Sequence, residues 1–273
     1  MPEAAIKFGT DGWNGVIAED FTFDNVRICS QGVADYLKQN GLDKLGLVIG
    51  YDTHFASEDF AVAAAEVVAA NGIKVHLWLK PTPTPVVSFT VPAAKAAGAI
   101  VITASHNPRL WNGFKYKSQE GASAPSEVTS EIEKNIAHIA SEKPIKRLSL
   151  GKALKKGLVD YIDVSSIYLR HLSQLINIEE LRKQKLKVIV DPMYGAGAGY
   201  FKMLLQGGDI EVSEINAERN PLFPEIQPEP IAKNLAKLSQ LVIEQKADVG
   251  LATDGDADRI GIIDEKGRFL EVV

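Results

Sequence analysis

Two short segments of this sequence carry the side chains best suited to chemistry. The first is Thr-Ala-Ser-His-Asn-Pro, which places Ser105 directly after the apolar run 99–102. The second is Asp-Gly-Asp-Ala-Asp-Arg at 254–259, which lies between two more apolar runs. A hydroxyl at the end of one strand and three carboxylates at the end of another predict metal-assisted phosphoryl chemistry.

The three carboxylates have a spacing that favours a cation. Asp254, Asp256 and Asp258 occupy every second position, so in an extended loop all three project to the same side. Three like charges that close repel one another unless a cation neutralises them. Carboxylate oxygens are hard ligands, which favours Mg²⁺, Mn²⁺ or Ca²⁺ over Zn²⁺. The neighbouring Arg259 is suited to a bidentate phosphate contact.

An EF-hand is the first alternative for this segment, because Glu265 occupies the twelfth position of such a loop. Arg259 stands where an EF-hand requires glycine, and the flanking segments resemble strands rather than helices. We therefore reject the EF-hand and keep a carboxylate site with open coordination positions.

Ser105 alone is a weak signal, since most serines after strands cap helices or form turns. A serine hydrolase is disfavoured because the Gly-x-Ser-x-Gly elbow is missing. For His106 two interpretations stay open, a structural histidine and a direct phosphate contact. After the turn at 112–113, a strand is expected to direct Lys115 or Lys117 at a common site, with surface solvation of both as the alternative.

The glycine-rich segment Gly-Ala-Gly-Ala-Gly at 195–199 follows a predicted strand and opens a helix. A dinucleotide-binding pattern would need glycine at position 200, where this chain has Tyr200. The segment therefore predicts a tight turn between strand and helix, and no nucleotide cofactor.

Composition excludes several classes of protein. The 273 residues are 45% apolar and 24% charged, which is ordinary for a globular protein of two domains. The formal charge is −5 and no long Lys/Arg block is present, so we expect no nucleic-acid partner. Cys29 is the single cysteine, which excludes an intrachain disulfide. No segment reaches the ~20 apolar residues of a membrane span, and we expect a cytoplasmic protein.

Alternation of short apolar runs with longer amphipathic ones predicts an α/β fold with largely parallel sheets. In the first half, strands are expected at 6–9, 45–51, 75–79 and 99–103, and helices at 23–39 and 58–70. The Pro-Thr-Pro-Thr-Pro segment at 81–85 predicts a rigid crossover rather than a polyproline ligand.

The second half repeats this alternation. Helices are expected at 161–175, 199–205 and 230–246, strands at 187–191, 210–215 and 249–253, and a hairpin at 260–263 and 269–273. We place the domain boundary in the irregular stretch 145–160, which gives domains 1–150 and 151–273. Because the hairpin ends on two valines, we expect the chain to be the N-terminal part of a longer protein.

The sequence closely resembles the α-D-phosphohexomutase family, which includes phosphoglucomutase and phosphomannomutase, over its whole length. Beside the two segments at 103–108 and 254–259, the motifs are Phe-Gly-Thr-Asp-Gly-Trp at 8–13, Gly-Tyr-Asp-Thr at 50–53, the proline crossover at 81–85, Asn-Gly-Phe-Lys at 112–115 and Asp-Pro-Met-Tyr-Gly at 191–195. The resemblance implies two α/β/α sandwich domains with mixed, largely parallel sheets.

The resemblance also implies a mechanism, in which Ser105 is a phosphoserine and Mg²⁺ is the cofactor. Family members transfer the phosphoryl group to a hexose monophosphate, form a hexose 1,6-bisphosphate and take back the other phosphate. The implied catalytic residues are Ser105, His106, Lys115 and Arg259, and the implied metal ligands are Ser105 through its phosphate, Asp254, Asp256 and Asp258. The sugar, glucose or mannose among others, stays open.

Two departures from the family pattern concern positions where arginine is common. This chain has Asn14 and His54 there, so phosphate contacts by those arginines are not carried over. Family enzymes have four domains, and the expected partners are therefore a hexose phosphate, a hexose 1,6-bisphosphate and the missing C-terminal domains, with little activity for this chain alone. The alternative is a non-catalytic module that binds a sugar phosphate or a metal.

Overall fold

The computed structural model describes residues 6–9, 11–142, 145–224 and 226–270. The chain divides into two compact units, each built around its own sheet. The first unit takes its residues from Met1–Asp52, Ala56–Ala104 and Leu110–Asp163, and the second from Thr53–Phe55, Ser105–Arg109 and Val164–Val273.

The first unit has a six-stranded mixed sheet with helices between the strands. In chain order its elements are β1 Trp13–Val16, α1 Phe23–Gln39, a 3₁₀ turn Asp43–Leu45, β2 Leu47–Tyr51, α2 Ser57–Ala70, β3 Val75–Trp78, α3 Thr84–Ala94, β4 Ala99–Ile102, β5 Trp111–Lys117, α4 Ser126–Glu142, α5 Leu150–Lys155 and β6 Val159–Ile162. The strand order is β1-β5-β4-β2-β3-β6, in which β4, β2, β3 and β6 are parallel.

Helix α1 shows how local sequence sets an element. Val26, Cys29, Val33 and Leu37 recur at helical spacing and are fully buried, so they form the stripe that packs on the core. The Thr22 side chain accepts a hydrogen bond from the backbone N–H of Asn25 and caps the first turn. The bounds match the predicted helix 23–39.

Two predictions in this unit are wrong. Residues 6–9 form no strand; Gly9 takes part in an isolated bridge with Gly12, in which Gly9 N–H donates to Gly12 O over 2.8 Å. The predicted helix 161–175 begins only at Ser165, since Val159–Ile162 pairs in parallel with β3. This pairing also extends the first unit to Asp163, past position 150, where we expected the boundary.

The second unit has a five-stranded mixed sheet. Its elements are α6 Ser165–Leu175, α7 Ile178–Arg182, β7 Lys187–Asp191, α8 Tyr200–Leu205, β8 Glu211–Glu214, a 3₁₀ turn Ala232–Asn234, α9 Ala236–Glu244, β9 Val249–Thr253, β10 Ile260–Asp264 and β11 Phe269–Leu270. The order is β11-β10-β9-β7-β8, with β9, β7 and β8 parallel. Leu238 and Val242 of α9 are buried in one cluster with Ile189, Ala252 and Ile263 of the sheet.

The predicted helix 230–246 is interrupted, because Leu235 separates the 3₁₀ turn from α9 and the Asn234 side chain bonds back to Glu229 O at 2.9 Å. The predicted hairpin forms, with Ile263 of β10 paired with Phe269 of β11, but 271–273 lie outside the described residues. The predicted α/β class with two mixed sheets is confirmed. Among the residues that the structure describes, no helix is long and apolar enough to cross a membrane.

Candidate functional site

Ser105 opens a short segment that follows β4 in the chain and belongs to the second unit. We call residues 105–109 the serine loop. Ser105 has a φ of +56°, a left-handed conformation that side chains with a Cβ adopt only where their surroundings hold them. Its Oγ donates a hydrogen bond to Oδ2 of Asp254 over 2.8 Å. The hydroxyl is thereby directed at the acidic segment.

The acidic loop, residues 254–259, follows β9 and is organised by Asp254. Oδ1 of Asp254 accepts hydrogen bonds from the backbone N–H groups of Asp258 at 3.0 Å and Arg259 at 3.1 Å. Ala257 has a φ of +54° and donates its N–H to Asp254 O. The loop therefore curls around the first carboxylate and leaves Oδ2 for Ser105.

The three aspartates lie together, as the sequence predicted. One carboxylate oxygen from each lies within 4.8 Å of the others, and Asp254 and Asp256 are buried while Asp258 is exposed. Burial first, and then the charges of Asp256 and Asp258, together raise the pKa of Asp254 to about 8, against the hydrogen bonds from Ser105 and the Arg259 backbone. Hard oxygen donors whose mutual repulsion is this strong fit a divalent cation such as Mg²⁺.

The glycine-rich segment packs directly on the acidic loop. A Cβ at Gly195 would meet Asp254 O at 2.8 Å and Gly255 Cα at 2.9 Å. Ala196 N–H donates to Gly255 O over 2.9 Å, and Gly195 N–H donates to Pro192 O over 2.7 Å. The predicted tight turn is confirmed, and its small residues allow two backbones to approach closely.

Asp191 stabilises the backbone that leads into this turn. Met193 and Tyr194 have φ values of +50° and +61°, two successive left-handed residues without glycine. Asp191 Oδ1 accepts from Met193 N–H at 2.8 Å, and both Asp191 oxygens accept from Asn216 Nδ2 at 3.1 Å. Burial raises the pKa of Asp191, although these hydrogen bonds act in the opposite direction. Asp191 thus holds a strained strand end that leads into the turn packed on the acidic loop.

His106 follows Ser105 in the chain, and the backbone N–H of Arg259 bonds to the same Asp254 carboxylate that Ser105 does. His106 Nδ1 is 3.4 Å from Ser105 Oγ, which is too long for a strong hydrogen bond. Burial lowers the pKa of His106 and the Arg259 charge lowers it further, while neighbouring carboxylates, Glu229 first among them, act against both. Arg259 itself is exposed. Both residues are therefore available to a ligand at this site.

Two contacts to the serine loop were missed from the sequence. Gln227 Nε2 donates to His106 O over 2.9 Å, and His54 Nε2 lies 3.2 Å from Asn107 O. His54 drew notice only as a departure from the family pattern. Gln227 gave no signal, because it lies in an irregular stretch without periodicity.

Lys115 lies on β5 in the first unit. Its Nζ pairs with Asp11 Oδ2 at 2.9 Å, and Lys117 Nζ pairs with Asp11 Oδ1 at 2.7 Å. Both lysines are buried, so the alternative of surface solvation is wrong. Burial acts to raise the pKa of Asp11, but the Lys115 charge and the hydrogen bonds from Lys117 and Ser123 outweigh it and lower the pKa. No sequence pattern indicated that Asp11 pairs with these lysines.

A buried polar network in the same unit ties together the ends of neighbouring strands. Tyr51, the last residue of β2, pairs with Ile102, the last residue of β4. The next residue of each segment is bonded to the other, because Thr103 Oγ1 donates to Asp52 Oδ2 over 2.6 Å. Asp52 Oδ1 accepts from Ser57 Oγ at 2.8 Å. This network fixes the strand end from which the chain continues into the serine loop.

Comparison with known proteins identifies the family. The sequence model of phosphoglucomutase/phosphomannomutase alpha/beta/alpha domain I matches residues 5–143, and that of domain II matches residues 166–267. Phosphoglucosamine mutase from Carboxydothermus hydrogenoformans is 32% identical over 269 residues, which cover 97% of this chain and 57% of the relative. Phosphoglucomutase/phosphomannomutase from Thermococcus kodakarensis is 30% identical over 264 residues, which cover 97% of this chain and 56% of the relative.

A crystal structure from Thermus thermophilus, described as a "putative phosphomannomutase", superimposes with a TM-score of 0.87 at 35% identity. The match covers 98% of this chain and 59% of that one. The chain thus spans little more than half the length of the relatives it matches. With both domain models matched in order and the serine and acidic segments present, the chain belongs to the phosphoglucomutase/phosphomannomutase family.

Proposed function

We propose that this chain supplies the phosphoryl-carrying and metal-binding parts of a hexose phosphate mutase. The observation that carries the proposal is the 2.8 Å hydrogen bond from Ser105 Oγ to Asp254 Oδ2, beside two further carboxylates. A serine directed at a cluster of hard oxygen donors is suited to hold a phosphate next to a divalent cation. The relatives named above are mutases of hexose phosphates, which supports the same reaction class here.

In the proposed reaction Ser105 carries a phosphoryl group on Oγ. The Oγ–P bond breaks as a hydroxyl oxygen of the hexose monophosphate forms a new bond to phosphorus; that hydroxyl loses its proton, and Ser105 Oγ takes one up. The hexose 1,6-bisphosphate then reorients and returns its other phosphoryl group to Ser105; Oγ loses its proton, and the sugar oxygen freed of phosphorus takes one up. The net change moves the phosphate between positions 1 and 6, and Ser105 ends phosphorylated as it began.

Asp254, Asp256 and Asp258, with the Ser105 phosphate, would hold Mg²⁺. When bound, Mg²⁺ supplies positive charge that stabilises the transferring phosphoryl group. Arg259 would add a second positive charge, with donors that suit phosphate oxygens. His106, next to Ser105 in the chain, is a candidate for a hydrogen bond to the phosphate.

Lys115 is our candidate for one of two roles: it would accept the proton of the attacking hydroxyl, or it would stabilise the negative charge that develops there. Its burial and its ion pair with Asp11 support the second role, because both hold a charged ammonium group within the first unit, and an ammonium group has no site to accept a proton. A lysine held in this way contributes charge without first losing side-chain freedom.

The test is intact-mass analysis after incubation with glucose 1,6-bisphosphate and Mg²⁺. We expect the protein to gain one phosphoryl group, which maps to Ser105 and is absent from Ser105→Ala. Ser173→Ala is the matched control, because that serine is exposed and its hydroxyl donates to Leu169 O within α6. A protein that binds Mg²⁺ but never gains phosphate on Ser105 would instead be a non-catalytic binding module.

The sugar is decided by a second comparison. Protein without phosphate on Ser105 is incubated in parallel with the 1,6-bisphosphates of glucose, mannose and glucosamine, and the rates of Ser105 phosphorylation are compared. Similar rates would place sugar selection outside these residues.

A further inference from the structure

The serine loop meets other residues of the second unit at three successive carbonyl groups. Ser105 O faces Gly255 so closely that a Cβ on Gly255 would collide with it. His106 O accepts from Gln227 Nε2 over 2.9 Å, and Asn107 O lies 3.2 Å from His54 Nε2. Two side chains of the second unit therefore contact consecutive carbonyl groups of one short loop, and Gly255 packs against the carbonyl before them.

His54 is built to act as a donor. A carbonyl oxygen only accepts, so a bond to Asn107 O requires the proton on Nε2. The ring is fully buried, and its centroid lies 4.6 Å from that of Phe223. On another side, a Cβ at Gly255 would approach His54 Cε1 to 3.0 Å. Packing on both sides leaves the ring little freedom to move away from the loop.

Gln227 reaches the loop from the irregular stretch between β8 and α9. Phe223, four residues earlier, has a φ of +43°, a left-handed conformation at that residue. The same stretch provides both the Gln227 amide and the ring that packs on His54. The two contacts to the serine loop are thus supported by one segment.

The conformation of Ser105 needs this support. Its left-handed φ of +56° is disfavoured for a residue with a Cβ and persists where neighbouring contacts determine it. That conformation directs Oγ to Asp254 Oδ2. If the loop relaxed to an ordinary backbone conformation, the hydroxyl would point elsewhere.

We propose that His54 and Gln227 are positioning residues that hold the serine loop so that Ser105 Oγ faces Asp254. Neither side chain contacts the reacting oxygen in the bonds described; each acts through a carbonyl of the loop. The consequence for phosphoryl transfer rests on the function proposed above, whereas the consequence for loop order does not.

The experiment compares Gln227→Met with Gln240→Met. Methionine resembles glutamine in size and shape but has no N–H donor, and Gln240 is an exposed glutamine on α9 that bonds to Glu244. His54→Phe keeps a ring beside Phe223 and removes the Nε2 donor. It is a second variant, which removes the other side-chain contact to the serine loop. The readouts are amide hydrogen exchange in peptides that span 105–109, the rate of Ser105 phosphorylation by glucose 1,6-bisphosphate, Mg²⁺ affinity and the thermal midpoint.

For Gln227→Met and His54→Phe we expect roughly two- to tenfold faster exchange in 105–109 and a similar fall in phosphorylation rate, as one lost hydrogen bond predicts. Mg²⁺ affinity and the Gln240→Met protein should match the wild type. Wild-type exchange in both variants would overturn the proposal, and so would faster exchange with an unchanged phosphorylation rate. If the wild-type protein takes no phosphate, the proposed function fails, and the exchange data alone decide whether these residues hold the loop.

Discussion

Asp254 joins Ser105 to the acidic loop through its two separate oxygens. Oδ2 accepts the Ser105 hydroxyl, 149 positions away in the chain, and Oδ1 accepts two backbone N–H groups of its own loop. The same carboxylate therefore positions the proposed phosphate carrier and shapes the proposed cation site. A change at Asp254 affects both, so the individual roles are best tested at neighbouring residues.

The first prediction concerns the cation. Asp256→Asn should weaken Mg²⁺ binding by at least about tenfold, because affinity for a hard cation follows the number of charged oxygen ligands. Calorimetric titration with MgCl₂ measures the change. Asp209→Asn, at an exposed aspartate of the same unit, should bind as the wild type does. Equal affinity in the two variants would remove Asp256 from the cation site.

The sequence predicted best where an element depends on its own residues. Helix 23–39 and strands 187–191 and 249–253 have the predicted bounds, since a helical stripe or a continuous apolar run identifies each of them locally. The strand at 159–162 was missed because its four residues show no such run. Its conformation depends on β3, more than eighty positions earlier.

The same distinction applies to the site. The aspartate trio is a local pattern, and the structure brings its members together as predicted. The bridge from Asp11 to Lys115 and Lys117, and the contact of Gln227 with the serine loop, join residues more than a hundred positions apart. Such pairs have no signature in a single sequence, because only the sheet order brings them close.

The second prediction is a pH dependence of the metal-free protein. The pKa of Asp254 rises from 3.8 to about 8 on folding, so between these values the folded state keeps a proton that the unfolded state releases. The free energy of unfolding should therefore fall as pH rises from about 4 to about 8 and then level off. Mg²⁺ should oppose the fall, since it favours the ionised carboxylate. Urea unfolding at several pH values in this range, with and without Mg²⁺, measures the change in the free energy of unfolding.

Asp254→Asn provides the control for that pH dependence. The variant has no carboxyl group at position 254 to titrate, so its stability should change less between about pH 4 and pH 8 than that of the wild type. An equally steep decline in this variant would assign the effect to other groups.

The third prediction concerns the bridge in the first unit. Asp11→Asn leaves two buried lysines without their shared carboxylate and should lower the free energy of unfolding by about 1–2 kcal/mol at neutral pH. Because the pKa of Asp11 is lowered in the folded state, its contribution is present above its usual value and is lost as pH falls through the folded value. The difference between variant and wild type should therefore shrink in acid.

Chemical denaturation at neutral and acidic pH measures this difference. Asp24→Asn is the matched control, because Asp24 is 87% exposed and its pair with Arg27 should contribute only a few tenths of a kcal/mol, roughly the value of an exposed pair. A difference for Asp11→Asn that stays constant into acid would contradict the ion-pair origin.

The last prediction tests the close packing of the glycine-rich turn on the acidic loop. Gly195→Ala places a methyl group 2.8 Å from both Asp254 O and Pro192 O, so one of the two backbones must move. We expect about 1–3 kcal/mol lower stability and weaker Mg²⁺ binding, because the displaced backbone carries the first carboxylate. Gly151→Ala, where the added methyl meets nothing within 4 Å, should be neutral or slightly stabilising. If Gly195→Ala lost stability but kept wild-type Mg²⁺ affinity, the turn would support the fold without setting the position of the carboxylates.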